Sequence, residues 1–77
     1  MIKITFGDNL HREQKIIDEN MTIKDFMDEN NMGRDIPGMA TALDGQVLRG
    51  QDFDKTFAQH GVGETTMLTS MVKADNA

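Results

Sequence analysis

The residues of this sequence that could do chemistry are few and scattered. His11 and His60 are far apart, and neither has a Cys or a second His at the spacing of metal ligands. The chain contains no Cys, which removes the thiolate nucleophile, the disulfide and the Cys-based metal site. Gly61-Val62-Gly63 suggests a phosphate-binding loop, but it precedes an apolar run and no Lys-Ser or Lys-Thr follows it. A turn is the better reading. Asp25, Asp28 and Glu29 sit at a helix entry, where acids complement the helix dipole rather than collect a cation. Asp52 and Asp54 flank Phe53 and read as a turn and a cap. A general acid–base pair needs a pocket that shifts its pKa values, and a chain of 77 residues has little room to wall one off. The expectation is therefore a protein that is not an enzyme, with no catalytic residue, no metal and no cofactor.

One reactive group is left, the carboxylate that ends "SMVKADNA". In some small proteins such a terminus is activated and made to carry sulfur or another protein. Whether this tail is of that kind depends on the body that holds it.

Charge and composition narrow the partners. Eight Lys and Arg against thirteen Asp and Glu give a net charge of −5. Nucleic-acid affinity comes largely from phosphate neutralisation by basic residues, so nucleic acid is not expected as a partner. An anionic membrane surface is disfavoured for the same reason. The acidic balance fits a basic protein partner, or simply solubility. "MIKITFGDN" lacks the cationic segment and long apolar run of a signal peptide, and "TTMLTSMV" is too short to span a bilayer. Without Cys staples, the expected setting is the cytoplasm.

The elements that would position these groups follow from periodicity. "IKITF" alternates, with Ile2, Ile4 and Phe6 on one face, as in a strand covered on one side. "GDN" supplies turn chemistry, and "REQKIID" reads as the returning strand. "MTIKDFMDENNMG" is the helix. Thr22 caps it, Asp25 stands three residues on, Ile23, Phe26 and Met27 form its apolar stripe, and Gly33 is placed to end it. Pro37 and Gly38 break the chain before "MATALDGQVLRG", where Asp44-Gly45 between two apolar-rich runs signals a tight hairpin turn. "QDFDKTFAQHGVG" spaces Phe53 and Phe57 one helical turn apart, with Asp52 as a cap and Gly61 as a stop. "ETTMLTSMV", uncharged from Thr65 to Val72, is the last strand. The order is β-β-α-β-β-(short helix)-β in one domain over residues 1–72, followed by a polar tail over 73–77. With the first and last strands as parallel neighbours under the helix, this is an α+β fold of β-grasp type, a mixed sheet on one helix.

That order, together with several local motifs, resembles the ubiquitin-like β-grasp superfamily, and within it the small ThiS/MoaD-type sulfur carriers. "ENMTIKDFMDENNM" is similar to that branch's helix entry, "MATALDGQVL" to its Asp-Gly hairpin, and "HGVGETTMLTSMV" to the entry of its final strand. The similarity spans residues 1 to 72. In this branch the resemblance implies a C-terminal Gly-Gly, threaded to the nucleotide of a ThiF-like adenylating enzyme. Here Asp75, Asn76 and Ala77 stand where those glycines would be. The tail is thus expected not to be an acyl donor, and Lys73 to Ala77 to be mobile and dispensable for folding.

The leading expectation is a non-catalytic ubiquitin-like module that binds another protein or regulates it. A carrier or protein modifier activated by a ThiF-like enzyme is the alternative. A small acidic inhibitor or regulator from a mobile element is a third reading. Met27 and Met39 are expected to fill core, with Met67 and Met71 on one side of the last strand and Leu68, Ser70 and Val72 on the other. Both sides cannot meet one helix, so the open sheet face is the expected binding patch, placed at Thr41, Ala42, Leu68, Ser70 and Val72.

Overall fold

A computed structural model of the chain describes residues 1–8, 10–34 and 36–72. The expectations for Lys73 to Ala77 lie outside the described residues.

Five strands form one mixed sheet: β1 (Ile2–Gly7), β2 (Arg12–Ile17), β3 (Met39–Leu43), β4 (Gln46–Val47) and β5 (Thr65–Val72), in the spatial order β2-β1-β5-β3-β4. β1 pairs antiparallel with β2 and parallel with β5, and β5 pairs antiparallel with β3. The helix α1 (Ile23–Glu29) lies on one face of the sheet. This is the expected α+β, β-grasp arrangement.

Alternation along β1 sets the core. Ile2, Ile4 and Phe6 are buried, whereas Lys3 between them is exposed. α1 is too short to be stable alone, so its burial holds it in place. Ile23, Phe26 and Met27 sink completely into the sheet's inner face. Thr22 caps it as expected, its Oγ1 accepting from the Asp25 N–H at 3.1 Å. Phe26 joins the two halves of the core through edge-to-face ring contacts, 5.0 Å from Phe6 and 5.6 Å from Phe57. Each such pair adds about 0.5–1.5 kcal/mol beyond the area it buries.

Two local expectations need correction. The helix ends at Asn30, and Asn31, with φ 58°, takes the left-handed position that had been assigned to Gly33. Asn tolerates that conformation. At Gly33 a Cβ would meet only the movable end of the exposed Ile36 side chain. The single short helix after β4 is two 3-10 turns, Gly50–Asp54 and Ala58–His60. They are separated because residues 55–58 hydrogen-bond to the helix entry. Ile23 N–H donates to Lys55 O at 3.0 Å, Phe57 N–H to Met21 O at 3.1 Å, and Ala58 N–H to Glu19 O at 2.8 Å. Asp52 accordingly sits inside the first turn, where its Oδ2 accepts from the Arg49 N–H at 2.9 Å. Gly61 stops the second turn at φ 73°.

Candidate protein-interaction face

Register decides which residues face outward. Phe6 stands beside Leu68, and Leu43 is also opposite Leu68, so these three share the helix side of the sheet. Thr66, Ser70 and Val72 must then share that side, as must Thr41, the partner of Ser70. The reverse face carries Lys3 and Thr5 from β1, Met67, Thr69 and Met71 from β5, and Ala40 and Ala42 from β3. Arg12, Gln14 and Ile16 extend it along β2, and Val47 along β4. Among the described residues, no helix or strand covers this face.

The expected patch is therefore divided between the two sides. Leu68 is fully buried in the core at 0% exposure, and Thr41 is buried beside it on the helix side. Ser70 is half-buried on that same side, while Val72, at 75% exposure, lies at the strand's end. Only Ala42 belongs to the open face, where it is buried between its neighbours. The large apolar residues on the open face of β5 are Met67 and Met71, which flank Thr69 and which the sequence analysis sets on the opposite side from the patch. Alternation was read correctly and the side was inverted, because only pairing with β1 identifies Leu68 as the inward residue.

Met67 is 39% exposed, with Met71 half-buried two positions along the same face. Arg12 reaches across from β2 and its Nη1 lies 3.6 Å from the Met67 sulfur. Ile16 stands 71% exposed towards the β2 edge, next to Lys3. The charges at strand positions of this face are Lys3 and Arg12, and no acid stands among them. Among the described residues the acids lie in the loops, on α1, in the 3-10 turn Gly50–Asp54 and at Glu13, which faces the helix side as the partner of Phe6. The net charge of the chain is thus reversed locally where the sheet is open.

One acid braces this face from its end. Asp44 opens the hairpin turn at φ 51°, and Gly45 follows at φ 86°, the pair of left-handed residues that a tight hairpin of this kind requires. The Asp44 carboxylate accepts from the Thr66 hydroxyl at 2.6 Å and from the Met67 N–H at 2.9 Å, and the Asp44 N–H donates to Met67 O at 2.8 Å. The β3–β4 turn is thereby tied to the strand that carries the exposed methionines. Sequence reasoning found the turn and missed the tie. No signal within the strand marks Thr66, since Thr65, Thr69 and Ser70 are hydroxyl residues as well and only the pairing with β1 sets which of them face inward.

The histidines stay apart. His60 places its Nε2 2.8 Å from Asp52 O within the second half of the connection, and His11 is exposed in the β1–β2 loop. In that loop the Asp8 carboxylate accepts from the N–H groups of Leu10 and His11 at 2.8 and 2.7 Å. These bonds, the His11 one foremost, hold its pKa below the ordinary Asp value. Gly61-Val62-Gly63 runs into β5 and forms the turn expected of it. No helix of the described residues is long and apolar enough to cross a membrane.

No protein-family model matches the chain, and no curated protein matches it in sequence. Solved structures do match. The solution NMR structure of the ubiquitin-like domain of the Arabidopsis thaliana protein At2g32350 superposes with a TM-score of 0.67 at 18% identity, covering 99% of this chain and 81% of that one. A structure of the same protein, determined from evolutionary couplings and sparse NMR data, gives a TM-score of 0.65, again at 18% identity, over 97% and 89% of the two chains. At that identity the likeness concerns the fold, and the fold of this chain is the ubiquitin-like β-grasp.

Proposed function

We propose that this chain is a non-catalytic protein-interaction or regulatory module that engages its partner through the open face of the sheet. One observation carries the reading: Met67 and Met71 lie on the open face of the middle strand β5, with Arg12 and Lys3 on the same face and no acid at its strand positions. Unbranched Met side chains adapt to varied contact surfaces. Two cations on an apolar face of an acidic chain favour a partner that offers an apolar patch with carboxylates around it. The ubiquitin-like fold supports a binding role, and the local motifs favour kinship with the ThiS/MoaD-type branch. Freedom from Cys favours a reducing compartment such as the cytoplasm.

The test compares capture by the wild-type chain with capture by Met67→Glu and by the Met67→Glu, Met71→Glu pair. Each is immobilised and challenged with host extract, and its fold is checked by circular dichroism. The reading expects a reproducible set of captured proteins that is lost from both folded variants. Capture unchanged in the folded double variant would remove the open face as the site. A second assay incubates the chain with ATP and a ThiF-like activating enzyme. An acyl-adenylate or thiocarboxylate product would put the carrier reading in place of this one.

A further inference from the structure

β4 is a short strand that pairs with only Ala42 and Leu43 of β3. Leu48 N–H extends the contact by one bond, to Thr41 O at 2.8 Å. From there the chain turns into the 3-10 segment Gly50–Asp54. Between that turn and the stretch entering β3 lies a cavity of about 380 Å³. Small-molecule sites usually measure roughly 300–1,000 Å³. Met39, Leu48 and Phe53 give this one apolar walls, yet more of its lining surface is polar than apolar. Ala40 and Val47 line it as well, from the side of the open face.

The polar side chains on the lining are those of Thr41 and Arg49. Thr41 is on the helix side of β3 and only 7% exposed. Buried hydroxyls normally have a hydrogen-bond partner. Those of Thr5, Thr22, Thr56 and Thr66 each have one. Among the described residues the Thr41 hydroxyl has none. No side-chain oxygen without a partner is sealed inside the protein, so this hydroxyl is open to the cavity that Thr41 lines. Arg49 is exposed beside it. Its backbone N–H donates to Asp52 Oδ2 at 2.9 Å, whereas its guanidinium forms no ion pair with a described residue. Among the described residues no acid lines the cavity.

These features select a ligand. One guanidinium matches one carboxylate, which it can hold by two parallel bonds. A dianionic phosphate would find no second cation on the lining. An inorganic ion would leave the apolar walls wet, and a fatty acid would leave the Thr41 hydroxyl unanswered. We propose that the cavity binds a small organic acid. Its carboxylate pairs with Arg49, its apolar body lies against Met39, Leu48 and Phe53, and a hydroxyl or carbonyl on that body bonds to Thr41. The site uses neither Met67 nor Met71, so it does not depend on the open face as a docking surface. An occupant would border that face at Ala40 and Val47.

The test uses the full chain, isotope-labelled for NMR, titrated with 4-hydroxyphenylacetate at millimolar concentration. Saturable amide shifts are expected at Met39, Thr41, Leu48, Arg49 and Gly50. The neutral 4-hydroxyphenylacetamide should bind about two- to fivefold more weakly, the scale of an exposed charge pair. Arg49→Gln should erase that difference. Phenylacetate, without the hydroxyl, should bind roughly threefold more weakly than the hydroxylated acid, the scale of one net hydrogen bond. Thr41→Val should erase that difference in turn. Thr41→Val should also melt no lower than the wild-type chain, because it removes a hydroxyl with no partner in the protein and keeps the β-branched shape. A lower melting temperature would mean that the hydroxyl is already bonded within the chain, and it overturns the proposal. So does the absence of saturable shifts at these amides, or their appearance at Met67 and Met71 instead. Equal binding of acid and amide removes Arg49 from the site, and equal binding of phenylacetate and its hydroxylated form removes Thr41. Either result ends the assignment of this ligand class.

Discussion

The Thr66 hydroxyl donates to the Asp44 carboxylate at 2.6 Å, joining the tip of the β3–β4 hairpin to the central strand β5. The same carboxylate accepts from the Met67 N–H. Asp44 thus has two duties, a left-handed backbone at φ 51° and a brace across strands. Asn performs the first without difficulty and can still accept one of the two bonds. Ala performs neither. Asp44→Ala should therefore cost about 1–3 kcal/mol, the range for a lost charged hydrogen bond with its buried partner left unpaired. Asp44→Asn should cost distinctly less. Urea unfolding of the two variants checks the order, and equal losses would mean that the brace contributes nothing.

Gly45, at φ 86°, has open space around its Cα, so a side chain there meets no atom. Any loss on substitution then comes from the backbone alone. Gly45→Val should destabilise the domain by more than a typical surface change of about 0.5 kcal/mol, because a β-branched residue resists positive φ. Gly45→Asn should lie close to wild type. Thermal melts of the pair separate conformational strain from crowding.

Phe26 touches Phe6 on the sheet side and Phe57 on the connection side, and it is almost wholly buried. Phe26→Ala should cost about 3–5 kcal/mol, as large-to-small core changes do. In a domain this small that is a large share of the total, so the variant should be partly unfolded at ambient temperature. An unchanged melting temperature would contradict the packing described.

How much of this was legible in the sequence varies with the physics of each segment. The Asp44-Gly45 turn was readable because a two-residue hairpin of this kind demands two left-handed residues and few pairs supply them. The helix stripe Ile23, Phe26 and Met27 was readable because only one face of a helix can be buried on a sheet. "TTMLTSMV" is another matter. Its apolar residues fall on both faces, Met67 and Met71 on one, Leu68 and Val72 on the other. Nothing within the strand ranks them, and the side is fixed by Phe6 standing opposite Leu68 in a strand distant in sequence. Tertiary pairing therefore assigned the candidate face.

Asp8 offers a pH test with a definite sign. Its carboxylate accepts from two loop N–H groups, the His11 one foremost, which hold its pKa below that of an ordinary Asp. A group whose folded pKa is depressed contributes stability that is fully present above its unfolded pKa. That contribution is lost as pH falls through the folded value. Carboxyl-carbon NMR titration should find the Asp8 midpoint below that of an ordinary Asp. Asp8→Ala should loosen the β1–β2 loop at neutral pH, seen as faster amide exchange at Leu10 and His11, with the difference from wild type vanishing in strong acid. A midpoint at or above the ordinary value would mean that the loop bonds do not persist in solution.

The exposed β2 edge leads to a prediction about solubility. β2 runs for six residues with its outer edge unpaired. An edge of that length is a template for another strand, and charge is the ordinary protection against it. Lys15 is the residue best placed to give that protection, because its ammonium lies over Phe6 and against Asn30 instead of extending freely. A strand arriving at β2 would have to displace or desolvate it. Lys15→Val removes the charge, adds a β-branched residue favoured in strands, and leaves "QVII" along the edge. The variant should remain folded and should self-associate. Sedimentation equilibrium is expected to show an average mass rising with concentration more steeply than for the wild-type chain. Lys15→Arg should restore the wild-type profile, since it keeps the charge. If Lys15→Val sediments as wild type does, the charge is not what guards this edge.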